Sequence, residues 1–202
     1  MKQKYILSDL DGVIRIFPPE RMSLLEHKHG IPPGVILANA FEQPLLTSAV
    51  CGFITDEAWR SRVEEALTGR FGKSIAAAAV QEWCEFSGVV DHRYLSGLEE
   101  KFPALPVAVL TNGTTRLDFD LAQLGISSRF HRVFNSATIG FCKPDKRIYQ
   151  YVVEHLGCLA SEVLFIDDSH SHVSAARDFG MTAYHYQSFD EFQKHNFLES
   201  GS

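Results

Sequence analysis

Two aspartates one residue apart, Asp9 and Asp11, follow the apolar run Tyr5-Ile6-Leu7 and precede Gly12, a residue that permits a tight turn. A carboxylate pair so placed can supply a nucleophile and a general acid/base. The D-x-D spacing alone is weak evidence, and the chain carries its own control. Asp118-Phe119-Asp120 has the same spacing inside a helical stripe, where residues two apart point to different sides, and reads as solvated surface. Three further segments stand at or near predicted strand ends. Leu110-Thr111-Asn112-Gly113-Thr114 runs from a strand into a helix start, where a hydroxyl and free N–H groups form an anion site or an ordinary cap. Lys143-Pro144-Asp145 sets a cation at the mouth of a helix. Asp167-Asp168-Ser169 places two carboxylates straight after Val163-Leu164-Phe165-Ile166, an arrangement that is costly unless a cation offsets the repulsion.

Each segment has a bland reading separately; together in one crevice they describe phosphoryl transfer. Oxygen-rich carboxylates suit Mg²⁺, which keeps several waters and few protein ligands. The metal and Lys143 would neutralise phosphate charge and let Asp9 approach an anion. Thr111, Asn112, Gly113 and Lys143 would bind the substrate phosphate, so that catalysis is mostly positioning and electrostatics. A carboxylate nucleophile gives an aspartyl-phosphate that water then opens. Asp11 would protonate the leaving oxygen and later deprotonate that water, given an environment that raises its pKa.

The elements that must position these groups are clearest in the second half. Val107–Leu110, Arg132–Asn135, Val163–Ile166 and Thr182–His185 read as strands. Between them lie helical stripes: Leu117, Leu121 and Leu124 closed by Gly125; Ile148, Val152 and Leu156 after Pro144 at a first-turn position; Val173 and Ala176 before Gly180. With Tyr5-Ile6-Leu7 this predicts an α/β fold, a three-layer parallel (Rossmann-like) sheet core with a small all-helical cap. The core takes residues 1–15 and 103–198. The cap takes 16–102, with stripes at Trp59, Val63 and Leu67 after the cap residue Thr55, and at Ile75, Ala79 and Phe86, and with no convincing strand. Strand ends of an open parallel sheet line the crevice where ligands bind.

Composition sets the outer bounds. The 202 residues are 45% hydrophobic, 22% charged and 11% aromatic, enough for a globular core without staples. Net charge is −6 and the basic residues are scattered, so no nucleic-acid footprint is expected. The only apolar run near the N-terminus, Tyr5-Ile6-Leu7, is too short for a signal peptide or membrane span. Cys51, Cys84, Cys142 and Cys158 form no C-x-x-C pair and read as four reduced thiols of a cytoplasmic protein.

The four segments resemble the motifs of the haloacid dehalogenase-like superfamily, in that family's order, over residues 5–14 and 105–186. The resemblance implies Asp9 as nucleophile and Asp11 as acid/base whose carbonyl also meets the metal. It implies Thr111 as the second-motif hydroxyl and Lys143 as the third-motif lysine. Asp167 and Asp168 match the fourth-motif acids, with Asp168 the direct metal ligand and Asp167 acting directly or through water. The metal set is thus Asp9, Asp11, Asp167 and Asp168, and the substrate a small phosphate ester. The long gap after Asp11 looks like the helical cap this family inserts there. The run Lys143-Pro144-Asp145-Lys146-Arg147-Ile148-Tyr149 looks like the branch of small sugar-phosphate phosphatases and the N-terminal domain of mammalian epoxide hydrolase.

Alternatives from other classes stay open: a phosphomutase of the same fold, a dehalogenase, against which Asp11 counts, and a noncatalytic phosphate-binding protein. His170-Ser171-His172 is not read as a metal pair, since residues two apart at a helix start cannot easily share one ion. Trp59 and Phe53 read as aromatic packing, and Cys142 as a plain thiol.

Overall fold

The computed structural model describes residues 3–197; the expected core boundary at residue 198 lies outside them. Five short apolar segments form one parallel sheet: β1 (Tyr5–Ser8), β4 (Val107–Thr111), β5 (Arg132–Asn135), β6 (Val163–Asp167) and β7 (Thr182–His185), in the order β5-β4-β1-β6-β7. Strands covered on both faces need apolar residues in both parities, and these have them. Ile6, Val109, Leu164 and Ile166 enter one cluster, while Leu7, Ala108, Leu110 and Phe165 enter the other. The first face is covered by α6 (His92–Lys101), α7 (Leu117–Gln123) and α11 (Phe189–Lys194), through Tyr94, Leu98, Leu121 and Phe192. The second is covered by α9 (Lys146–Leu156) and α10 (His170–Phe179), through Ile148, Tyr149, Val152, Val173 and Ala176. This is the expected three-layer α/β architecture.

A separate apolar cluster joins α1 (Pro19–Lys28), α2 (Val35–Ala40), α3 (Leu45–Val50), α4 (Asp56–Phe71) and α5 (Lys73–Cys84). Thr55 caps α4 as read from the sequence, its hydroxyl accepting the Ala58 N–H at 3.2 Å. The N-terminus of α2 has no side-chain cap of its own. Buried Glu26 serves instead, accepting the Gly34 and Ile36 N–H groups at 2.6 and 2.8 Å. Trp59 is buried, donates Nε1–H to the Ala40 carbonyl and meets the Trp83 ring edge-on, whereas Phe53 is exposed.

Four local expectations change. The stretch 16–102 does contain strand: β2 (Arg15–Ile16) and β3 (Val89–Val90) pair antiparallel, each too short to show a period. Helix α6 sends Tyr94, Leu95 and Leu98 into the sheet's cluster instead of the helical one. The buried stripe of α5 is Ala76, Ala79 and Val80, with Ile75 exposed and Phe86 beyond the helix. Pro144 lies outside α9, whose N-cap is Asp145 accepting the Arg147 N–H; the helix ends in left-handed Gly157. Among the described residues no helix is long and apolar enough to cross a membrane.

Candidate active site

Register brings the polar strand ends together. Ser8 of β1 lies opposite Val109 and Ile166, so Asp9, Thr111 and Asp167 emerge along one edge of adjacent strands. Lys143, between α8 (Ser136–Ile139) and α9, enters the same edge with its side chain wholly buried. Its Nζ reaches Asp167 Oδ2 at 2.6 Å, Asp9 Oδ1 at 2.8 Å and the Leu110 carbonyl at 3.0 Å. An ammonium has three donors, and all three are engaged. Asn112 fixes the lysine's backbone from both sides: Nδ2–H donates to the Lys143 carbonyl at 3.0 Å and Oδ1 accepts its N–H at 2.8 Å. The Asn112 side chain is therefore committed to the protein, and only the backbone of this residue is left to face a ligand. Thr111 is buried at the end of β4, and Gly113 lies against Asn135.

The carboxylates differ in environment. Asp9 Oδ1 accepts the Leu10 N–H at 2.7 Å as well as Lys143, while no protein donor among the described residues reaches Oδ2. Burial pushes the Asp9 carboxyl well up, Lys143 opposes this, and Asp167 adds to it. Burial also acts on Asp167, but His172 and Lys143 outweigh it and hold that carboxyl at about 2. For Lys143 burial works against the charge, yet Asp9 and Asp167 raise its pKa. Asp168 is raised by burial and then by Asp167. Its carboxylate lies so close to Gly12 that a Cβ there would collide with Oδ2.

His172 is a site neighbour that the His-x-His spacing does not reveal. Its Nδ1, in the first turn of α10, faces both Asp167 oxygens at 3.0 and 3.2 Å, while His170 instead meets the His185 ring. Asp9, Asp167 and His172 all offer ligand atoms within 4.8 Å of one another. The Lys143 ammonium already lies between Asp9 and Asp167, so that gap holds a cation of the protein's own. Asp9 Oδ2, which no protein donor reaches among the described residues, is the oxygen of this pair left open to a metal.

Asp11 is not drawn into the Lys143 cluster. Its carboxylate pairs with Arg15 at 2.5 Å (Nε–Oδ1) and 3.0 Å (Nη2–Oδ2). Asp120, expected on the solvated surface, is largely buried: it accepts from Arg15, Arg116 and Ser87. The helical layer meets the site along residues 50–56. Ser136 Oγ donates to the Val50 carbonyl, Thr114 Oγ1 to Asp56 Oδ1 at 2.7 Å, and the Asp56 N–H to Thr115 Oγ1 at 2.9 Å. Along this seam Cys51 and Cys142 are paired as a disulfide, which corrects the expectation of four reduced thiols; Cys84 and Cys158 are free. The partners are 91 residues apart in sequence, and only the seating of residues 50–56 on 136–142 brings them together.

The model of the haloacid dehalogenase-like hydrolases matches residues 4–180. The chain belongs to this hydrolase family. Among curated relatives of this haloacid dehalogenase-like chain, pig (Sus scrofa) bifunctional epoxide hydrolase 2 is 29% identical over 86% of the chain and 34% of its own length. Phosphatase MT3486 of Mycobacterium tuberculosis is 36% identical over 43% of the chain and 41% of its own length. The chain thus spans well under half of the length of these relatives. A haloacid dehalogenase family enzyme of Bacteroides thetaiotaomicron, crystallised with magnesium and inorganic phosphate, superposes with a TM-score of 0.74. It is 21% identical, over 94% of this chain and 98% of that one. The L-2-haloacid dehalogenase of Xanthobacter autotrophicus superposes with a TM-score of 0.64 at 22% identity, over 90% and 76% of the two chains. At such identities both show the shared fold.

Proposed function

We propose that the chain is a Mg²⁺-dependent phosphatase for a small phosphate monoester, with Asp9 as nucleophile and Asp11 as general acid/base. The observation that carries the reading is the surplus of carboxylate at one strand edge. Asp9 and Asp167 share a single buried lysine, Asp168 follows Asp167 directly with its carboxyl raised by burial and by that neighbour, and Asp9 keeps one oxygen without a protein donor among the described residues. A buried excess of negative charge calls for a further cation. An all-oxygen donor set of Asp9 Oδ2, the Asp11 carbonyl and Asp168 fits Mg²⁺, with Asp167 contributing through the lysine it holds. The magnesium complex of the Bacteroides thetaiotaomicron enzyme and the phosphatase among the relatives support the same assignment. When bound, the metal supplies charge neutralisation for the phosphate and for the Asp9 carboxylate.

The chemistry then balances in two steps. An Asp9 oxygen attacks phosphorus, the bond to the ester oxygen breaks, and Asp11 hands that oxygen a proton. Water next attacks the aspartyl-phosphate, Asp11 takes back a proton, and the bond between phosphorus and Asp9 breaks to release phosphate. In this reading Thr111 and the backbone of Asn112 and Gly113, at the neighbouring strand end, hold the transferring oxygens. The helical segment within 16–102 acts as the cap over this edge, held along the 50–56 seam.

The test is phosphate release from a panel of small esters, with Mg²⁺ or EDTA, for the wild type and Asp9→Asn. Release that needs Mg²⁺ and is lost in the variant supports the reading. Folded, Mg²⁺-bound protein that releases phosphate from no ester overturns it.

A further inference from the structure

Gly12 turns the chain at a φ of 82°, and the Gly12 N–H donates to the Arg15 carbonyl at 2.9 Å. This turn brings the Arg15 side chain back beside Asp11, four residues earlier. The guanidinium binds both Asp11 oxygens in a bidentate pair, the geometry in which arginine imposes direction as well as charge. Its remaining nitrogen, Nη1, reaches Asp120 at 3.1 Å. Asp120 is itself fixed by Arg116 Nε and Ser87 Oγ, each at 2.9 Å, and Arg116 reaches on to the Cys84 carbonyl at 2.7 Å.

The two ends of this network differ. At the Asp120 end everything is packed: the Arg15 side chain is 6% exposed and that of Asp120 13%. At the other end the Asp11 side chain is 40% exposed and has no side-chain partner except Arg15 among the described residues. A half-exposed aspartate would otherwise turn about two torsions, and a misplaced proton donor loses much of its effect. An ionised carboxylate offers about four lone-pair sites. Arg15 uses one on each oxygen and leaves the outer ones for a proton.

We propose that Arg15 is the positioning residue of Asp11, orienting the acid/base carboxylate from an anchor at Asp120. The inference rests on the phosphatase reading above, in which Asp11 serves both half-reactions. In this role Arg15 acts through Asp11, to which it is bound at both oxygens.

The experiment compares wild type, Arg15→Gln and Asp120→Asn on two esters: p-nitrophenyl phosphate, whose leaving group departs without a proton, and glycerol phosphate, whose alkoxide needs one. Expected for Arg15→Gln on the nitrophenyl ester is a rapid burst of about one nitrophenolate per site. Steady turnover then runs roughly 10–100-fold slower than wild type, with phosphoprotein accumulating in acid-quenched samples. On glycerol phosphate the first step is slowed too, and no phosphoprotein accumulates. Asp120→Asn repeats the pattern more weakly, and Arg15→Lys restores part of the rate. An equal loss on both esters without phosphoprotein means a structural role and overturns the proposal, as does unchanged turnover. If Arg15→Gln does not fold, the same two outcomes are read from the near-isosteric Asp120→Asn. Wild type that releases phosphate from neither ester overturns the phosphatase reading, and this inference with it.

Discussion

Lys143 Nζ lies 2.8 Å from Asp9 Oδ1, with the lysine side chain wholly buried and the aspartate 8% exposed. The same ammonium is 2.6 Å from buried Asp167, so one charge stabilises two carboxylates from which water is excluded. Lys143→Met would keep the volume and remove that charge. Breaking a buried pair by deleting one partner costs about 3–5 kcal/mol, because the other charge is left uncompensated. The expected outcome is a stability loss of that order in urea unfolding without Mg²⁺, together with loss of phosphate release. Lys143→Arg should not restore activity: a planar fork does not fit a site where three acceptors converge on one nitrogen.

The acid side of the stability profile should report Asp167. Burial works against its ionisation, but His172 and Lys143 prevail and its folded value is about 2, below the ordinary carboxylate range. A depressed folded pKa contributes stability above the unfolded value, near 4, and that contribution is lost as pH falls through about 2. Its size is on the order of 2 kcal/mol. Asp9 has the opposite sign, since burial raises it, so its contribution declines as pH rises above the unfolded value. Comparing His172→Gln with wild type isolates the first effect. Urea unfolding between pH 5 and 2 should show the variant losing less stability over that window, having less to lose. Equal pH slopes would mean that His172 does not hold Asp167.

How much of this could be read in advance depended on sequence distance and element length. The three central strands announce themselves because doubly covered strands are apolar almost throughout, and Asp9 and Asp167 break two of those runs with charge, whereas the edge strands Arg132–Asn135 and Thr182–His185 are half polar and weaker signals. Thr55 was legible as a cap for a similar local reason. The β2–β3 pairing was not, since two-residue strands carry no period. Asp120 looked like surface because its partner Arg15 lies 105 residues away, and nothing within α7 reveals that contact. His172 was judged as half of a His-x-His pair, when its actual partner is Asp167, five residues earlier across the start of α10. The Cys51–Cys142 pairing likewise depends on how the helical layer seats on the sheet layer.

Gly12 is required twice over. Its φ of 82° is a left-handed conformation that side chains disfavour, and a Cβ would strike the Asp168 carboxylate. Gly12→Ala should therefore cost more than the roughly 1 kcal/mol of an ordinary glycine substitution. It should also displace Asp168 from the proposed metal site. Titration calorimetry with Mg²⁺ should show affinity falling by tenfold or more. Unchanged affinity in a folded variant would remove Asp168 from the metal set.

The seam between the helical layer and the second site loop offers a last, separable test. Asp56 accepts Thr114 Oγ1 at 2.7 Å and pairs with Arg60 Nε at 2.5 Å, and the Arg60 side chain is only 15% exposed. Thr114→Val deletes this hydrogen bond, and a long one at 3.4 Å from the Arg116 N–H, without changing shape and should cost about 1 kcal/mol. Asp56→Ala also strands the Arg60 charge, so its cost should be nearer 3 kcal/mol. Asp56→Ala/Arg60→Met should recover part of that loss, because the orphaned charge goes with its partner. Were the seam to orient the cap over the phosphate site, both Asp56→Ala and Thr114→Val would raise KM for the preferred ester. Urea unfolding and steady-state kinetics on the same three variants separate the two effects. A stability loss with unchanged KM would show that the seam holds the layers together without shaping the substrate's entry.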